Sequence, residues 1–478
     1  MNLKYLVTAM ALISMVGCEV NQPPVKEEML EQVLPETNKE PPVNYSEAAN
    51  AAMGEVKDGW LKSFNDEKLE AIVEEAIRNN LNLQSAVAKL DAAAAIAVQA
   101  GAELKPVIGI GGNFGTDQLF SNSGYEIEND AIALNMSWEL DLWGRIRSQQ
   151  ASGEAAFEAT QYQVMWAYQS IAAQTAKIYN LLMEAQKQVG LANEAVRLYE
   201  KTYDIVAVKY KQGQVTQREV SLASANVASG KATVRKAQSA LLQASRALEL
   251  MLGRYPAAEM AGAPNLEATL PPIPVGLPSE LLERRPDIKA AERAAAAQFY
   301  QIQSADAARL PKVSLTAGVG SVSSDLTNAI SLGNDFWSIG TNFIAPIFTG
   351  GALEAQVDIE SAEYRQAMAN YGLTALKAFS EVEQGLSNES LLREQQTYLS
   401  QVVDDSQEAL RVANVQFDVG KVDLLSVIQQ QGQLIGAKVN LINIKDSRLQ
   451  QRIDLHLALG GGFDIAPTVK PEQTPQNN

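Results

Sequence analysis

Ile132, Leu134, Met136, Trp138 and Leu140 alternate with Ala133, Asn135, Ser137 and Glu139, the period of two that marks a strand with one apolar face. Residues 107–117 read as its hairpin partner with 127–140, and 313–323 with 334–347 read as a second hairpin. The stretches between, 118–126 and 324–333, hold Ser, Asn, Gly and Asp and read as loops. Around these hairpins the pattern turns helical. Ala-rich stretches 69–104 and 279–309 lead into them, and much longer ones lead out. After Gly144 no proline occurs until Pro256, and after Gly350 none until Pro467. Helical patterning runs about 67 residues to Gly213, and a similar distance from Gly351 to Gly420. At ~1.5 Å per residue each helix is about 100 Å long, so this part of the molecule is a rod.

The two halves are a duplication. Pro106 and Pro311, and Gly115 and Gly320, lie 205 residues apart; Gly144 and Gly350, and Glu154 and Glu360, lie 206 apart. Gly213 and Gly420, Lys231 and Lys438, and Leu252-Gly253 and Leu459-Gly460 lie 207 apart. Each half reads helix, two strands, very long helix, Gly turn, long helix. The return helix 422–459 carries a seven-residue register, with Leu425, Gly432, Val439, Asp446 and Ile453 on one line and Ile428, Ile435, Ile442, Leu449 and His456 on the next. That is coiled-coil spacing, and His456 reads as a packing residue near the helix end.

The strand alternation fits either a small soluble sheet on a core or a membrane barrel with apolar residues toward lipid and polar ones toward a lumen. Strands in lipid must close on themselves, and bacterial barrels need at least ~8 of them. Four strands per chain therefore require a ring of copies. Two chains give eight strands and three give 12, of which only 12 leaves an aqueous hole.

Composition narrows the chemistry. Lys+Arg 39 against Asp+Glu 56 gives a formal −17, which argues against nonspecific nucleic-acid binding. One Cys and one His exclude an internal disulfide and any site needing two imidazoles. No catalytic constellation, metal-ligand spacing or phosphate loop is present, so the reading is not an enzyme and needs no cofactor. Gly109, Gly111 and Gly112 lie inside an alternating strand, not at a helix start. The lone Cys has its own explanation. Lys4 and the short apolar stretch Leu6–Val16 read as a signal peptide, residues 1–17, ending in Met15-Val16-Gly17-Cys18. This resembles a bacterial lipobox, so Cys18 is the expected acylated N-terminus, and Glu19 after it directs the lipoprotein to the outer membrane. Removal of Lys4 with the signal brings the charge to −18.

Trp138-Glu139-Leu140-Asp141-Leu142-Trp143-Gly144-Arg145 closely resembles the motif ending the first barrel hairpin in TolC-like outer-membrane efflux factors, more narrowly the OprM/NodT lipoprotein branch. Leu281-Leu282-Glu283-Arg284-Arg285-Pro286-Asp287-Ile288 resembles the signature that opens that branch's second repeat. Pro346-Ile347-Phe348-Thr349-Gly350-Gly351, Phe379-Ser380-Glu381-Val382-Glu383 and Ala458-Leu459-Gly460-Gly461-Gly462 are similar to further family blocks. The resemblance implies a mostly α fold with a membrane β-barrel. Long antiparallel coiled-coil helices would form a periplasmic tunnel beneath a trimeric 12-stranded barrel. The organisation then reads 1–17 signal peptide, 18–68 lipidated tether and collar segment, 69–253 first repeat with hairpin 107–140 and long helices 145–253. After it come 254–278 as a Pro-rich connector or collar, 279–460 as the second repeat with hairpin 313–347 and long helices 351–460, and 461–478 as the tail.

The implied partners are two further copies, a periplasmic adaptor, an inner-membrane resistance–nodulation–division pump and outer-membrane lipid. The resemblance places adaptor contacts at the turns Gly213 and Gly420, with a closed aperture a turn or two above. Leu425 matches the hydrophobic ring of the family gate. Gln429 stands where the family has an acid and Gly432 where it often has Arg, which speaks against an inherited aspartate–arginine lock. Asp423 is the substitute negative ring, and Arg218 and Glu219 are candidates for inter-helix pairs. The leading expectation is a passive exit duct for small molecules. A type I secretion duct for proteins and a pore-free lipid-anchored coiled-coil scaffold are the alternatives.

Overall fold

The computed structural model describes residues 20–34, 45, 56, 58–113, 116–118, 126–128, 130–262, 273, 274, 276, 278–323 and 335–462. Its elements follow the duplication. In the first repeat α2 (Glu67–Asn79) and α3 (Leu81–Ala102) precede β1 (Val107–Asn113), β2 (Thr116–Gln118), β3 (Glu126–Glu128) and β4 (Asp130–Leu140). The long α4 (Arg145–Lys211) and the return helix α5 (Gln217–Met251) follow. The second repeat has α6 (Pro278–Arg284), α7 (Pro286–Ala307), β5 (Lys312–Ser323), β6 (Asp335–Ile344), α8 (Ala352–Asp418) and α9 (Leu424–Ala458), and α1 (Lys26–Val33) lies ahead of both. α4 and α8 have 67 residues each, α5 and α9 have 35 each, and α3 and α7 have 22 each.

The register of the repeat is sharper than sequence identities suggest. α3 and α7 start 205 residues apart, whereas α4 and α8, and α5 and α9, start 207 apart. The whole two-residue difference therefore falls between the first strand and the long helix. Gly144, with φ 78°, caps α4 as Gly351, with φ 84°, caps α8, so Gly351 and not Gly350 is its counterpart.

The expected single helices 69–104 and 279–309 are each broken. Asn80 donates its N–H to Ala76 at the end of α2 and accepts from Asn82 and Leu83 N–H at the start of α3, so one residue both ends and caps a helix. Pro286 breaks the other, sitting at the first position of α7 where its missing N–H is not needed. The second hairpin stops at Ile344, short of 347.

One core lies where α2, α3, α4, α5 and the end of α9 meet, around the buried Val73, Tyr179, Leu182, Leu248 and Ile453. A second joins α1, α6, α7, α8 and the end of α9 around Tyr371, Ala375, Val382 and Leu455. A third, with Val206, Phe417, Leu424 and Val427, closes the far tip. His456 is buried in the last turn of α9, its ring stacked on Trp60 at 5.2 Å and 8°, as a packing residue.

The heptad lines need a correction. In the tip half of α9 the buried seam is Leu424, Val427, Gln431 and Leu434, one residue earlier than the expected Leu425/Gly432 and Ile428/Ile435 lines. Nearer the core Asp446, Leu449, Ile453 and His456 are buried as expected. α9 packs against both α8 and α4, so two adjoining stripes serve two partners and the dominant one changes along the helix.

Candidate functional site

The four long strands form one antiparallel sheet in the order β1-β4-β5-β6. Register places Ile110, Leu134, Val319 and Trp337 in one row across it, and Gly109, Asn135, Gly318 and Ser338 in the row beside it. Since successive side chains point to opposite faces, one face carries Ile108, Leu134, Met136, Val319, Trp337 and Phe343, and the middle of the other is small or polar, with Gly109, Asn135, Ser137, Thr316, Gly318 and Ser338. Ile110, Trp337 and Ile339 are 80%, 77% and 78% exposed. Among the described residues β1 and β6 are unpaired edges of this sheet. A β2–β3 pair extends the first hairpin, and residues 119–125 and 324–333 of the loops lie outside the described residues.

The Trp-Glu-Leu-Asp-Leu-Trp-Gly-Arg run is the joint between sheet and rod. Asp141 accepts from the N–H groups of Ile146 and Arg147 at 3.0 and 2.9 Å, capping α4 from outside, where a carboxylate complements the helix N-terminus. Arg147 Nε also reaches Asp141 at 3.0 Å, and Arg145 holds Glu139 of β4 at 3.0 Å. Trp138 Nε1 donates to Leu104 O at 2.9 Å and Trp143 Nε1 to Pro311 O at 2.7 Å. Tryptophans with one wet end suit a membrane–water boundary. A cleft of about 710 Å³ opens at this joint, lined among others by Val20, Trp143, Arg309, Ile347 and Phe348. Cys18 lies outside the described residues.

The second signature, Leu281 to Ile288, folds into a buried hub. Arg285 is 2% exposed. Its guanidinium bonds Asp287 at 3.0 and 2.7 Å, Glu381 at 2.6 Å and Ala458 O at 3.2 Å, and lies over the Trp166 ring. Three separate sequence blocks therefore meet at one side chain, which ties α4, α7, α8 and α9 together.

At the opposite end both hairpins turn on glycine. Gly213 and Gly420 have φ of 72° and 73°, a conformation that costs other residues roughly 1–2 kcal/mol. Gln214 N–H closes on Lys209 O at 2.9 Å and Lys421 N–H on Gln416 O at 2.8 Å, the left-handed helix stop. Lys209 joins the two turns, donating to Phe417 O at 3.2 Å with its ammonium over the Phe417 ring at 3.9 Å.

The gate candidates do not all meet. Asp423 is the N-cap of α9 and accepts from Ser426 N–H at 2.9 Å and Ser426 Oγ at 2.7 Å. Glu219 accepts from Thr216 N–H at 2.6 Å and so completes the capping box of α5. The hydrogen bonds from Ser426, helped by the charge of Arg218, hold the Asp423 carboxyl below its ordinary value. Leu425, Gln429 and Gly432 lie on the exposed side of α9, off the buried seam.

The model of the outer membrane efflux protein family matches residues 72–254 and again 277–461, one copy per repeat. The chain belongs to this family. It is 30% identical to the probable efflux pump outer membrane protein TtgC of Pseudomonas putida, over 88% of each chain. It is 28% identical to the cation efflux system protein CusC of Escherichia coli, over 87% of this chain and 90% of that one. The CmeC outer membrane channel of Campylobacter jejuni superposes with a TM-score of 0.85 at 25% identity, over 93% of this chain and 95% of that one. In a family of outer-membrane efflux channels, the sheet is the membrane-crossing part and the long helices are the conduit below it.

Proposed function

We propose that three copies close a 12-stranded barrel and passively conduct small molecules to the exterior. A periplasmic adaptor and an inner-membrane pump of the resistance–nodulation–division class would deliver them. The carrying observation is a sheet with an apolar face and two free edges. In lipid such edges leave backbone groups unsatisfied, and only pairing with another chain satisfies them.

The duplication supplies the geometry of closure. Within the chain the repeats meet through β4 on β5, α4 on α7 and α4 on α9. Carried forward by the repeat, the same contacts become β6 on β1, α8 on α3 and α8 on α5 of a neighbouring copy. The exposed Leu81, Ile96 and Val98 of α3 are then covered. Applying the 207- and 205-residue offsets to the Met136–Ala317 pair sets Phe343 opposite Gly112 of the next copy, and apolar faces stay on one side. Three copies rather than two leave a water-filled lumen.

Cys18 anchors the trimer through acyl chains. Val20, two residues later, lies in the cleft at the sheet–helix joint, level with the membrane boundary implied by Trp138 and Trp143. Small-molecule transport is favoured over protein secretion because the lipobox accompanies the efflux branch. Purified protein in a planar bilayer should give a long-lived ohmic channel of trimeric mass, and Cys18→Ser should abolish palmitate labelling. Absence of conductance from oligomeric protein would reject the duct.

A further inference from the structure

We infer that neighbouring copies of this chain join along the rod through a charge-complementary seam, the basic flank of α5 against the acidic flank of α8. This inference rests on the trimeric reading and specifies which surfaces meet and by what chemistry. α5 carries five basic residues, Arg218, Lys231, Arg235, Lys236 and Arg246, all exposed. Its two acids are both engaged within the chain: Glu219 caps the helix, and Glu249 is buried and accepts from the N–H groups of Ala258, Glu259 and Met260. α8 has twelve acidic and four basic residues, a formal −8. Glu394, Asp404 and Asp405 are exposed in its tip half. There α8 packs on α9, and α4 reaches the end of α8 through Lys209 and through the cluster that Val206 shares with Leu410 and Phe417. α5 likewise packs on α4, leaving its outer side open. Arg393 and Arg411, exposed on the same half of α8, are each paired with an acid of that helix, Glu389 and Glu408, so the two open flanks remain opposite in sign, as a head-to-tail ring requires.

The register follows from the seam already present inside the chain. Between α4 and α9, Gln188 bonds Asn443 at 2.7 Å, Lys438 bonds Glu194 at 2.7 Å and Gln431 bonds Thr202 at 2.7 Å. Moving α4 forward and α9 back by 207 residues turns these into Gln395 with Lys236, Gln401 with Lys231 and Ala409 with Ser224 of the next copy. Lys236 then stands beside Glu394, and Lys231 within one helical turn of Asp404 and Asp405. Arg235 completes the basic cluster. Lys231, which also reaches Glu200 of its own α4 at 2.9 Å, takes the place that Lys438 holds in the internal seam. Tyr398 and Val402, exposed on α8 between these charges, and Leu391 just before them, supply apolar contact for the alkyl stems.

The test is trimer stability of full-length protein in detergent, by sedimentation, at about 0.02 and 0.5 M salt. Reversing α5 (Lys231→Glu, Arg235→Glu, Lys236→Glu) or α8 (Glu394→Lys, Asp404→Lys, Asp405→Lys) should raise the concentration of half-dissociation about tenfold or more at low salt. Both reversals together should restore it, and wild-type trimers should weaken with salt. Lys231→Cys with Gln401→Cys should cross-link between copies, a readout that needs no stability change. Single reversals with wild-type stability and no cross-link would overturn the seam while leaving a conducting trimer intact. Unchanged trimers that lose adaptor capture would assign the flank to the adaptor instead. Wild-type protein that neither trimerises nor conducts would remove the underlying reading as well.

Discussion

Asp423 accepts two hydrogen bonds from Ser426, one from its N–H and one from its hydroxyl, and thereby starts α9. The carboxylate expected to contribute a negative ring also holds the turn that precedes Leu425. Loss of the cap and loss of the charge are separable by substitution. Asp423→Asn keeps an acceptor for Ser426 and should leave single-channel conductance close to wild type. Asp423→Ala should fray the turn and raise conductance, as should Leu425→Ser. Equal conductance for the Asn and Ala variants would show that capping does not control the aperture. The hydrogen bonds lower this carboxyl, so its stabilisation is present above the ordinary Asp range and is lost as pH falls through the depressed folded value.

Asp446 is buried between α9 and α4, its pKa raised to about 6 by burial and by the charge of Glu184, against a weak hydrogen bond from Gln450 and the charge of Lys177. Here the folded value lies above the unfolded one. Stability contributed by the protonated form is complete below pH ~4 and falls as pH rises toward about 6. Asp446→Asn should therefore raise the melting temperature at pH 7.5 and change it little at pH 4. With solvent screening the gain is about 1–2 kcal/mol.

His456 runs the other way. Burial, reinforced by the charge of Arg452, lowers its pKa to about 3, and neither ring nitrogen has a hydrogen-bond partner. The unfolded chain binds a proton below pH ~6.5 that the folded chain refuses, so this site loses stability as pH falls from there toward 3. His456→Phe keeps the stack on Trp60 and removes two unpaired nitrogens. It should match or exceed wild type at pH 7 and gain about 2–4 kcal/mol at pH 4. Thermal melts across pH 4–8 measure both slopes.

Arg285 should be the most sensitive single position outside the tip. Its removal leaves Asp287, Glu381 and Ala458 O without their cation, and breaking a buried ion pair costs about 3–5 kcal/mol. Arg285→Ala should sharply reduce folded protein in the outer membrane. Arg285→Lys should recover it only in part, because an ammonium cannot form the bidentate bond to Asp287. Full recovery with Lys would show that charge alone matters.

Closure of the barrel has its own test. Phe343→Cys combined with Gly112→Cys should give a dimer-to-trimer ladder on denaturing gels after oxidation or bis-maleimide treatment, and neither single variant should. A shift of reactivity to residues two positions away on β1 would move the register between copies while keeping the pairing.

The strands, the two 67-residue helices and the glycine turns were legible in the sequence because each is written in local terms. A period of two, a proline-free run and a residue free to take positive φ all act within a few neighbours. The duplication was legible for the same reason, since repeated local signals recur at a fixed offset. Tertiary structure decided what those signals serve. It assigned Gly351, not Gly350, to the start of α8, and moved the buried seam of the α9 tip by one residue because that helix faces two partners. It made Asp423 and Glu219 helix caps; the Thr216-x-x-Glu219 spacing is itself a capping-box signature, whereas which side chain Asp423 serves depends on the turn before α9. It also gathered Arg285, Glu381 and Ala458, far apart in the chain, at one buried guanidinium. Sequence thus determined which elements form, and packing determined which face of each is spent inside the chain and which remains for the next copy.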